Sequence, residues 1–192
     1  MRNDLALAVC VCCLVCGPAA VHAQEREKAV SPPPAGAPAV NGLKMLEPGT
    51  IAPDFSIKDP EGNSFRLLDA RGKKPVLLVF WSVFCEPCRL ELKVLQKMHV
   101  QHKEAGLEVV GVSLDGEPLK SSVRGFVKQE GYTFMVLIDE LDSREAFKAA
   151  DPYGVAGMPT VYLVDRTGRI ALARAGRIKQ EELEKAVQAV LK

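Results

Sequence analysis

Residues 76–81 form an uninterrupted apolar run, VLLVFW, that lacks the alternation of a half-exposed strand. We expect a strand that is buried on both faces, as in a parallel sheet packed by helices. A few residues later, Pro87 suits the first turn of a helix, where its missing N–H is no loss. Residues 87–105 carry a helical stripe of apolar side chains and end near Gly106. The pattern therefore predicts a buried strand that runs directly into a helix.

The rest of the apolar pattern predicts an α/β order without internal repeats. Buried strands are predicted at 109–114, 135–138 and 160–164, and a hairpin partner for the last of them at 170–175. Helices are predicted at 119–130, 143–150 and 179–191. Ahead of these elements, two alternating segments, 54–57 and 64–67, flank a cluster of turn residues, which predicts a hairpin added at the edge of the sheet.

The N-terminal 48 residues have a different character from the rest of the chain. Residues 1–23 resemble a secretory signal, with an apolar run, a Gly-Pro break and a small-residue cleavage site. The alternative is an uncleaved membrane anchor over residues 5–21. Residues 24–48 are polar and then rich in proline and alanine, which predicts a linker before a domain at 49–192. Both alternatives place the folded domain outside the cytoplasm, in the periplasm or an equivalent space.

Composition and charge narrow the functional classes. The 192 residues carry a net charge of +1, which gives no indication of nucleic-acid binding. Four of the six cysteines lie in the first apolar stretch, and only Cys85 and Cys88 follow it. A chain without its first segment would therefore keep a single dithiol. Outside the cytoplasm, where disulfides persist, that dithiol would be redox-active.

The Cys85-Glu86-Pro87-Cys88 sequence lies where the predicted strand meets the predicted helix. The free N–H groups and dipole of a helix N-terminus stabilise a thiolate, and thiols of Cys-x-x-Cys motifs are unusually acidic. We expect Cys85 to be the exposed thiol and Cys88 to be sheltered one turn inside the helix. Cys85 would attack a substrate disulfide, and Cys88 would then attack the mixed disulfide and release the product.

Two other interpretations of the cysteine pair remain open. Zinc would need two further ligands, and His99 would lie about 16 Å from Cys88 along the helix, so no metal site is expected. A structural disulfide without a catalytic role is the second alternative.

The chain resembles the TlpA/ResA/DsbE-like extracytoplasmic thiol-disulfide oxidoreductases of the thioredoxin fold. The resemblance covers about residues 49–192 and rests on four motifs. These are Ala-Pro-Asp-Phe at 52–55, the segment 79–91 around the cysteines, Tyr-Gly-Val-Ala-Gly-Met-Pro-Thr at 153–160, and Leu-Val-Asp-Arg-Thr-Gly-Arg-Ile at 163–170. It implies a thioredoxin-like α/β fold with an added N-terminal β-hairpin and a central αβ insertion.

The resemblance also implies roles for individual residues. Cys85 is expected to be the nucleophile, Cys88 the resolving thiol, Pro159 a cis proline beside them, and Glu91 a carboxylate near the buried thiol. Contacts with the substrate are expected from four further residues: Trp81, Glu86, Pro87 and Met158. Phe84 and Lys93 depart from the family pattern, which often has tryptophan and proline at these positions, so contacts with clients are expected to differ.

Glu91 can also be interpreted from its position alone. It follows Cys88 by three residues and therefore shares its helical face. A partly buried carboxyl group has a raised pKa and can relay a proton to or from Cys88. The alternative is a solvated surface glutamate.

The leading hypothesis is an enzyme that reduces disulfides of extracytoplasmic client proteins, such as the apoproteins of cytochrome c maturation. It would use no cofactor and would be rereduced by a membrane partner of the DsbD/CcdA kind. A peroxiredoxin-like peroxidase is the second hypothesis, because Ala-Pro-Asp-Phe also opens peroxiredoxins, although these place Pro and Thr just before a lone cysteine. A Sco-like copper carrier is the third, but that site needs wider cysteine spacing and a later histidine, and none follows His102.

Overall fold

The computed structural model describes residues 43–192. The predicted signal or anchor, at residues 1–23, and most of the predicted linker lie outside the described residues. Within the described part, no helix is both long enough and apolar enough to cross a membrane.

Seven strands, three α-helices and two short 3-10 helices, at Leu67–Ala70 and Glu117–Leu119, form the described part of the chain. The strands are β1 (Ser56–Lys58), β2 (Ser64–Arg66), β3 (Val76–Trp81), β4 (Glu108–Ser113), β5 (Met135–Ile138), β6 (Thr160–Val164) and β7 (Ile170–Ala175). The helices are α1 (Glu86–His102), α2 (Lys120–Glu130) and α3 (Gln180–Leu191). The predicted strand at 76–81 and the predicted helix that follows it are both confirmed.

All seven strands belong to one sheet in the order β2-β1-β5-β4-β3-β6-β7. The predicted hairpin is present as β1 and β2 and forms one edge of this sheet. β3 pairs in parallel with β4 but antiparallel with β6. β3 therefore lies between one parallel and one antiparallel neighbour, because β6 returns along the other side of β3 before it turns into β7.

Every residue of β3 is buried, as expected for a strand covered on both faces. One face of the sheet packs against side chains of α1, α2 and α3. The other face is covered by the chain before β1 and by the connection between β5 and β6, including Phe55, Ala149 and Tyr153. The central strand thus carries its C-terminal end, and the cysteines beyond it, on a rigid two-sided core.

The predicted helix at 143–150 is absent, because Glu145 has a left-handed φ of +61°, which a right-handed helix cannot include, and the backbone folds back so that the amide of Lys148 donates to the carbonyl of Glu140. Asp142 Oδ1 accepts hydrogen bonds from the amides of Arg144 and Ala146. The buried Asp139 carboxylate accepts from the amides of Ala149 and Ala150. The segment forms turns instead, closed by a bridge between Leu141 and Phe147.

The last residues of the predicted linker pack on the domain. The amide of Leu46 donates to the hydroxyl of Tyr162, and the amide of Gly49 donates to the carbonyl of Ile170. Gly154 lies against this segment with a φ of +65°, and a β-carbon there would overlap the carbonyl oxygen of Lys44. The close approach of the two backbones therefore requires glycine at this position.

Candidate active site

The two cysteines lie where β3 ends and α1 begins, as predicted. Cys85 is the N-cap residue of α1, Pro87 lies in its first turn, and Cys88 lies one turn inside. The structure joins Cys85 and Cys88 in a disulfide. The amide of Cys88 donates to Sγ of Cys85 at 3.3 Å, so the helix directs an N–H group at the sulfur that would carry negative charge in the reduced protein.

The two sulfurs differ in accessibility. Cys85 is partly exposed, whereas Cys88 is completely buried among core side chains of α1 and the sheet. A client disulfide can therefore reach Cys85 but not Cys88. This asymmetry agrees with the predicted division between an exposed and a sheltered thiol.

Glu91 is fully buried on the face of α1 that carries Cys88, which excludes the solvated surface alternative. Its Oε2 accepts a hydrogen bond from the amide of Ile178 at 3.3 Å and lies 4.0 Å from Nε of Arg177. Its Oε1 has no hydrogen-bond partner among residues 43–192. Burial raises the pKa of Glu91, and the Ile178 amide and the Arg177 charge offset part of that increase.

Met158 and Pro159 lie at the same end of the sheet as the cysteines. Thr160 pairs with Phe80, so the two residues before Thr160 stand beside the point where β3 leads into Cys85. The Met158–Pro159 bond is cis, the isomer predicted. Pro159 is buried and Met158 is 38% exposed.

Of the four residues predicted to contact a substrate, three reach the surface. Glu86, Pro87 and Met158 are exposed. Trp81 is completely buried and packs against Phe126, so the expectation that it contacts a substrate is wrong. Its ring completes the core beneath the site, because it belongs to a strand that is covered on both faces.

Two groups near the cysteines were not among the predicted site residues, although the sequence had marked the first, Phe84, as a departure from the family pattern. Phe84, next to Cys85, is 76% exposed. Asp115, just beyond β4, accepts hydrogen bonds from the hydroxyl of Ser82 at 2.6 Å and from the amide of Val83 at 3.0 Å. A polar residue at the C-terminal end of a buried strand is the signal that could have indicated Asp115, since ligand sites in open α/β sheets gather there.

The arrangement supports thiol-disulfide exchange. It combines an accessible sulfur at a helix N-terminus with a buried partner sulfur one turn away, and with a buried carboxyl group on the same face. Among residues 43–192, no group of three or more His, Cys, Asp and Glu side chains is arranged to hold a metal ion. The fold and the site together define a thioredoxin-like disulfide oxidoreductase.

Comparison with known proteins gives the same class. Residues 48–173 match the AhpC/TSA family. The chain is 33% identical over 142 residues to the thiol-disulfide oxidoreductase ResA of Geobacillus thermodenitrificans, covering 74% of this chain and 77% of the relative. It is 36% identical over 140 residues to the thioredoxin-like protein YneN of Bacillus subtilis, covering 72% and 78% of the two chains.

Solved structures are similar as well. A putative thiol:disulfide interchange protein DsbE from Chlorobium tepidum aligns with a TM-score of 0.67 and 33% identity, covering 77% of this chain and all of the other. A putative protein disulfide isomerase from Bacteroides thetaiotaomicron aligns with a TM-score of 0.65 and 28% identity, covering 76% and 89%. The chain belongs to the AhpC/TSA family and, within it, to the ResA-like thiol-disulfide oxidoreductases.

Proposed function

We propose that this protein reduces disulfides of client proteins outside the cytoplasm through the Cys85-Cys88 dithiol. The observation that carries the proposal is the pairing of a partly exposed N-cap sulfur with a fully buried sulfur one helical turn away. A merely structural disulfide has no need for one accessible sulfur held at a helix N-terminus.

The reaction transfers two electrons from the dithiol to the client. The Cys85 thiolate attacks one sulfur of the client disulfide, forming a Cys85–client bond as the client S–S bond breaks, and the leaving client sulfur takes up a proton. Cys88 loses its proton and attacks Sγ of Cys85. The Cys85–client bond breaks, the second client sulfur is protonated, and the protein is left with the Cys85–Cys88 disulfide seen in the structure.

Glu91 suits the proton transfer that Cys88 requires. Cys88 is buried, so its proton cannot pass directly to bulk water. Glu91 shares its helical face, and its Oε1, which has no partner in the described part of the chain, is free to accept or donate a proton. The pKa of Glu91, raised by burial, brings the carboxyl group nearer to the range in which it can exchange protons at neutral pH.

The surface around Cys85 is suited to polypeptide clients. Phe84, Leu90 and Met158 are apolar and are 76%, 46% and 38% exposed. Phe84 adjoins Cys85 in the chain, Leu90 lies in the second turn of α1, and Met158 stands at the neighbouring strand end. Apolar side chains exposed near a reactive thiol favour contact with unfolded or extended segments, which present apolar groups themselves.

The physiological setting follows from the N-terminal sequence and the family. The apolar stretch in residues 1–23 supports export or membrane attachment through residues 5–21, and with either the dithiol would act in the periplasm or an equivalent space. A reductant in that space requires an electron source, so a membrane partner of the DsbD/CcdA kind is proposed. Apoproteins of cytochrome c maturation are the proposed clients.

Disulfide reduction of insulin by dithiothreitol, with the full chain as catalyst, tests the proposal. The wild-type protein should accelerate the reaction, and Cys85→Ser should abolish the acceleration. Cys88→Ser should block turnover yet accumulate mixed disulfides at Cys85, which non-reducing electrophoresis and mass spectrometry detect. No acceleration by the reduced wild-type protein, or mixed disulfides that form equally at Cys88 in Cys85→Ser, would contradict the assignment.

A peroxidase is the second candidate, because the matching family is AhpC/TSA. In that reaction the Cys85 thiolate would attack a peroxide oxygen to form a sulfenic acid and release water, and Cys88 would condense with it to form the disulfide and a second water. Consumption of hydrogen peroxide by the reduced protein distinguishes the two functions. We expect oxidation by peroxide to be far slower than oxidation by a peptide disulfide, and the reverse order would favour the peroxidase.

A further inference from the structure

Asp115 connects the ends of two neighbouring strands at the active site. Its carboxylate accepts hydrogen bonds from the Ser82 hydroxyl at 2.6 Å, the Val83 amide at 3.0 Å and the Ser113 hydroxyl at 2.7 Å. Ser82 and Ser113 are both buried. The carboxylate is therefore bound by donors from the loop that follows β3 and from β4 itself.

The loop at residues 82–84 depends on this carboxylate for its conformation. The Ser82 hydroxyl, which donates to Asp115, accepts from the amide of Phe84 at 3.2 Å. The Ser82 carbonyl accepts from the amide of Cys85 at 3.2 Å. Asp115 therefore orients Ser82, and Ser82 in turn accepts hydrogen bonds from the amides of Phe84 and Cys85.

Arg89 holds the same loop from the helix side. Its Nε and Nη2 donate to the carbonyl of Val83 at 3.3 Å and 3.0 Å, and its guanidinium group lies 5.4 Å from the centre of the Phe126 ring. Val83 thus has its N–H bound to a carboxylate on one element and its C=O bound to a guanidinium on another. Charge-assisted hydrogen bonds of this kind are stronger than neutral ones, so the loop has little freedom.

We propose that Asp115 is a positioning residue for thiol-disulfide exchange: by fixing residues 82–84 it holds Cys85 at the N-cap of α1 in the geometry that favours its thiolate. The proposal rests on the proposed function, in which Cys85 is the nucleophile. Asp115 does not touch the client and acts through Ser82 and Val83.

The charge and the hydrogen bonds of Asp115 have opposite effects on Cys85. A negative charge nearby disfavours a thiolate, so removal of the charge alone should make Cys85 more reactive. Loss of the loop geometry should make it less reactive, because the helix amides then lose their fixed alignment with the sulfur. The direction of the change in the variants therefore separates a positioning role from a direct electrostatic one.

The experiment measures the rate of alkylation of Cys85 by iodoacetamide in the reduced full-length protein, across a range of pH, with mass spectrometry of the Cys85 peptide. For Asp115→Ala we expect the alkylation rate at neutral pH to be about tenfold lower than in the wild type, because about a tenfold smaller fraction of Cys85 would be thiolate. The plot of rate against pH should move to higher pH. Asp115→Asn keeps an acceptor for the Val83 amide and should stay within about threefold of the wild type.

Asp165→Ala is the matched control. The Asp165 carboxylate also accepts three hydrogen bonds in a loop, from the Thr167 amide, the Thr167 hydroxyl and the Arg169 amide. It follows β6 at the opposite end of the sheet, where Val164 pairs with Val76 at the start of β3. Asp165→Ala should lower stability without changing the alkylation profile, and circular dichroism should show each variant folded during the assay.

Ser82→Ala provides a second measurement that does not depend on the folding of Asp115→Ala. It removes the hydroxyl between Asp115 and the Phe84 amide and should slow alkylation by about threefold. In the double variant the two losses should be less than additive, because both act on one loop. Alkylation of folded Asp115→Ala within twofold of the wild type, or faster than it, would overturn the proposal. Failure of the wild-type protein to reduce insulin would instead overturn the proposed function.

Discussion

Cys85, Cys88 and Glu91 show how position changes the chemistry of a side chain. Cys85 is partly exposed and its sulfur accepts a hydrogen bond from a helix amide, whereas Cys88, three residues later, is completely buried in the core. Glu91 lies on the same buried face with one carboxylate oxygen that has no partner among the described residues. Burial of a carboxyl group costs free energy when it is charged, which agrees with the raised pKa of Glu91.

Replacement of Glu91 by Gln should change how stability depends on pH. The pKa of Glu91 is raised above its ordinary value of 4.5 in the folded protein, mainly by burial. The folded state therefore binds a proton that the unfolded state has released, and stability falls as pH rises from 4.5 through the raised pKa. Urea unfolding at a series of pH values should show this loss in the wild type and a flatter dependence in Glu91→Gln.

Glu104→Gln serves as the control for that comparison, because Glu104 is exposed in the turn after α1. It should follow the wild-type dependence. A Glu91→Gln protein with the same pH dependence as the wild type would contradict the raised pKa.

At the scale of elements, carboxylates shape the irregular segments that connect strands. Asp139 follows β5, is completely buried, and accepts hydrogen bonds from the amides of Glu140, Ala149 and Ala150. Burial raises its pKa, and these three amides offset part of the increase. One side chain thus fixes both ends of the 139–150 connection, which covers one face of the sheet.

Replacement of Asp139 by Ala should destabilise the protein by about 2–3 kcal/mol, because it leaves the buried amides of Ala149 and Ala150 without a partner. Asp59→Ala is the comparison: Asp59 also accepts from amides, those of Glu61 and Asn63, but in an exposed turn where water can replace it. Its effect should be clearly smaller. Equal losses for the two variants in denaturant unfolding would show that burial of the amides is not the cause.

At the scale of the whole molecule, the sheet brings distant segments together at both ends. The end with the cysteines brings together Asp115, which follows β4, and Met158, which precedes β6, because both strands pair with β3. The covering of the second face depends on contact between residues 45–53 and the connection before β6. The segment before β1 therefore contributes to the stability of the domain.

Two glycine variants test that contact. Gly154→Ala should destabilise the protein by at least about 1–2 kcal/mol from its left-handed conformation alone, and by more because the β-carbon would overlap the Lys44 carbonyl. Gly125→Ala, in the middle of α2 with nothing within 4 Å of the added carbon, should stabilise it by about 1 kcal/mol. Thermal unfolding should shift in opposite directions, and a neutral Gly154→Ala would argue against the close contact.

The redox potential depends on all the groups around the two cysteines. We expect a reducing couple, with a potential closer to that of thioredoxin, about −270 mV, than to that of a strong oxidant, about −120 mV. Glu86, in the first turn of α1, opposes a neighbouring thiolate, and burial opposes one at Cys88. Arg89 favours a thiolate, but its guanidinium is held by the Val83 carbonyl. Equilibration of the purified protein with glutathione and dithiothreitol buffers gives the value, and a potential above about −180 mV would indicate an oxidase or isomerase.

The sequence by itself determined the elements whose patterns are local. The apolar runs predicted β3, β5 and β6 at their observed bounds, because a strand covered on both faces is largely apolar. β7, at the edge of the sheet, was predicted as the hairpin partner of β6, and its bounds are also as observed. Pro87 and the cysteine spacing predicted the start of α1 and the places of the two thiols on it, which depend on residues within one helical turn. The full burial of Cys88 also needs the core side chains of the sheet. The family resemblance added the fold and the cis proline.

Tertiary structure decided whatever depends on partners distant in the chain. Asp115 joins the site through contacts with residues 32 and 33 positions earlier, which exist only because β3 and β4 are neighbours in parallel. The 143–150 segment has an amphipathic pattern, but its backbone folds back: the amide of Lys148 donates to the carbonyl of Glu140, and that of Ala149 to the carboxylate of Asp139, 10 residues earlier. Trp81 is a core residue because both faces of β3 are covered. Such contacts override local preference, because satisfying a buried polar group contributes more free energy than the helix preference of a single ordinary residue.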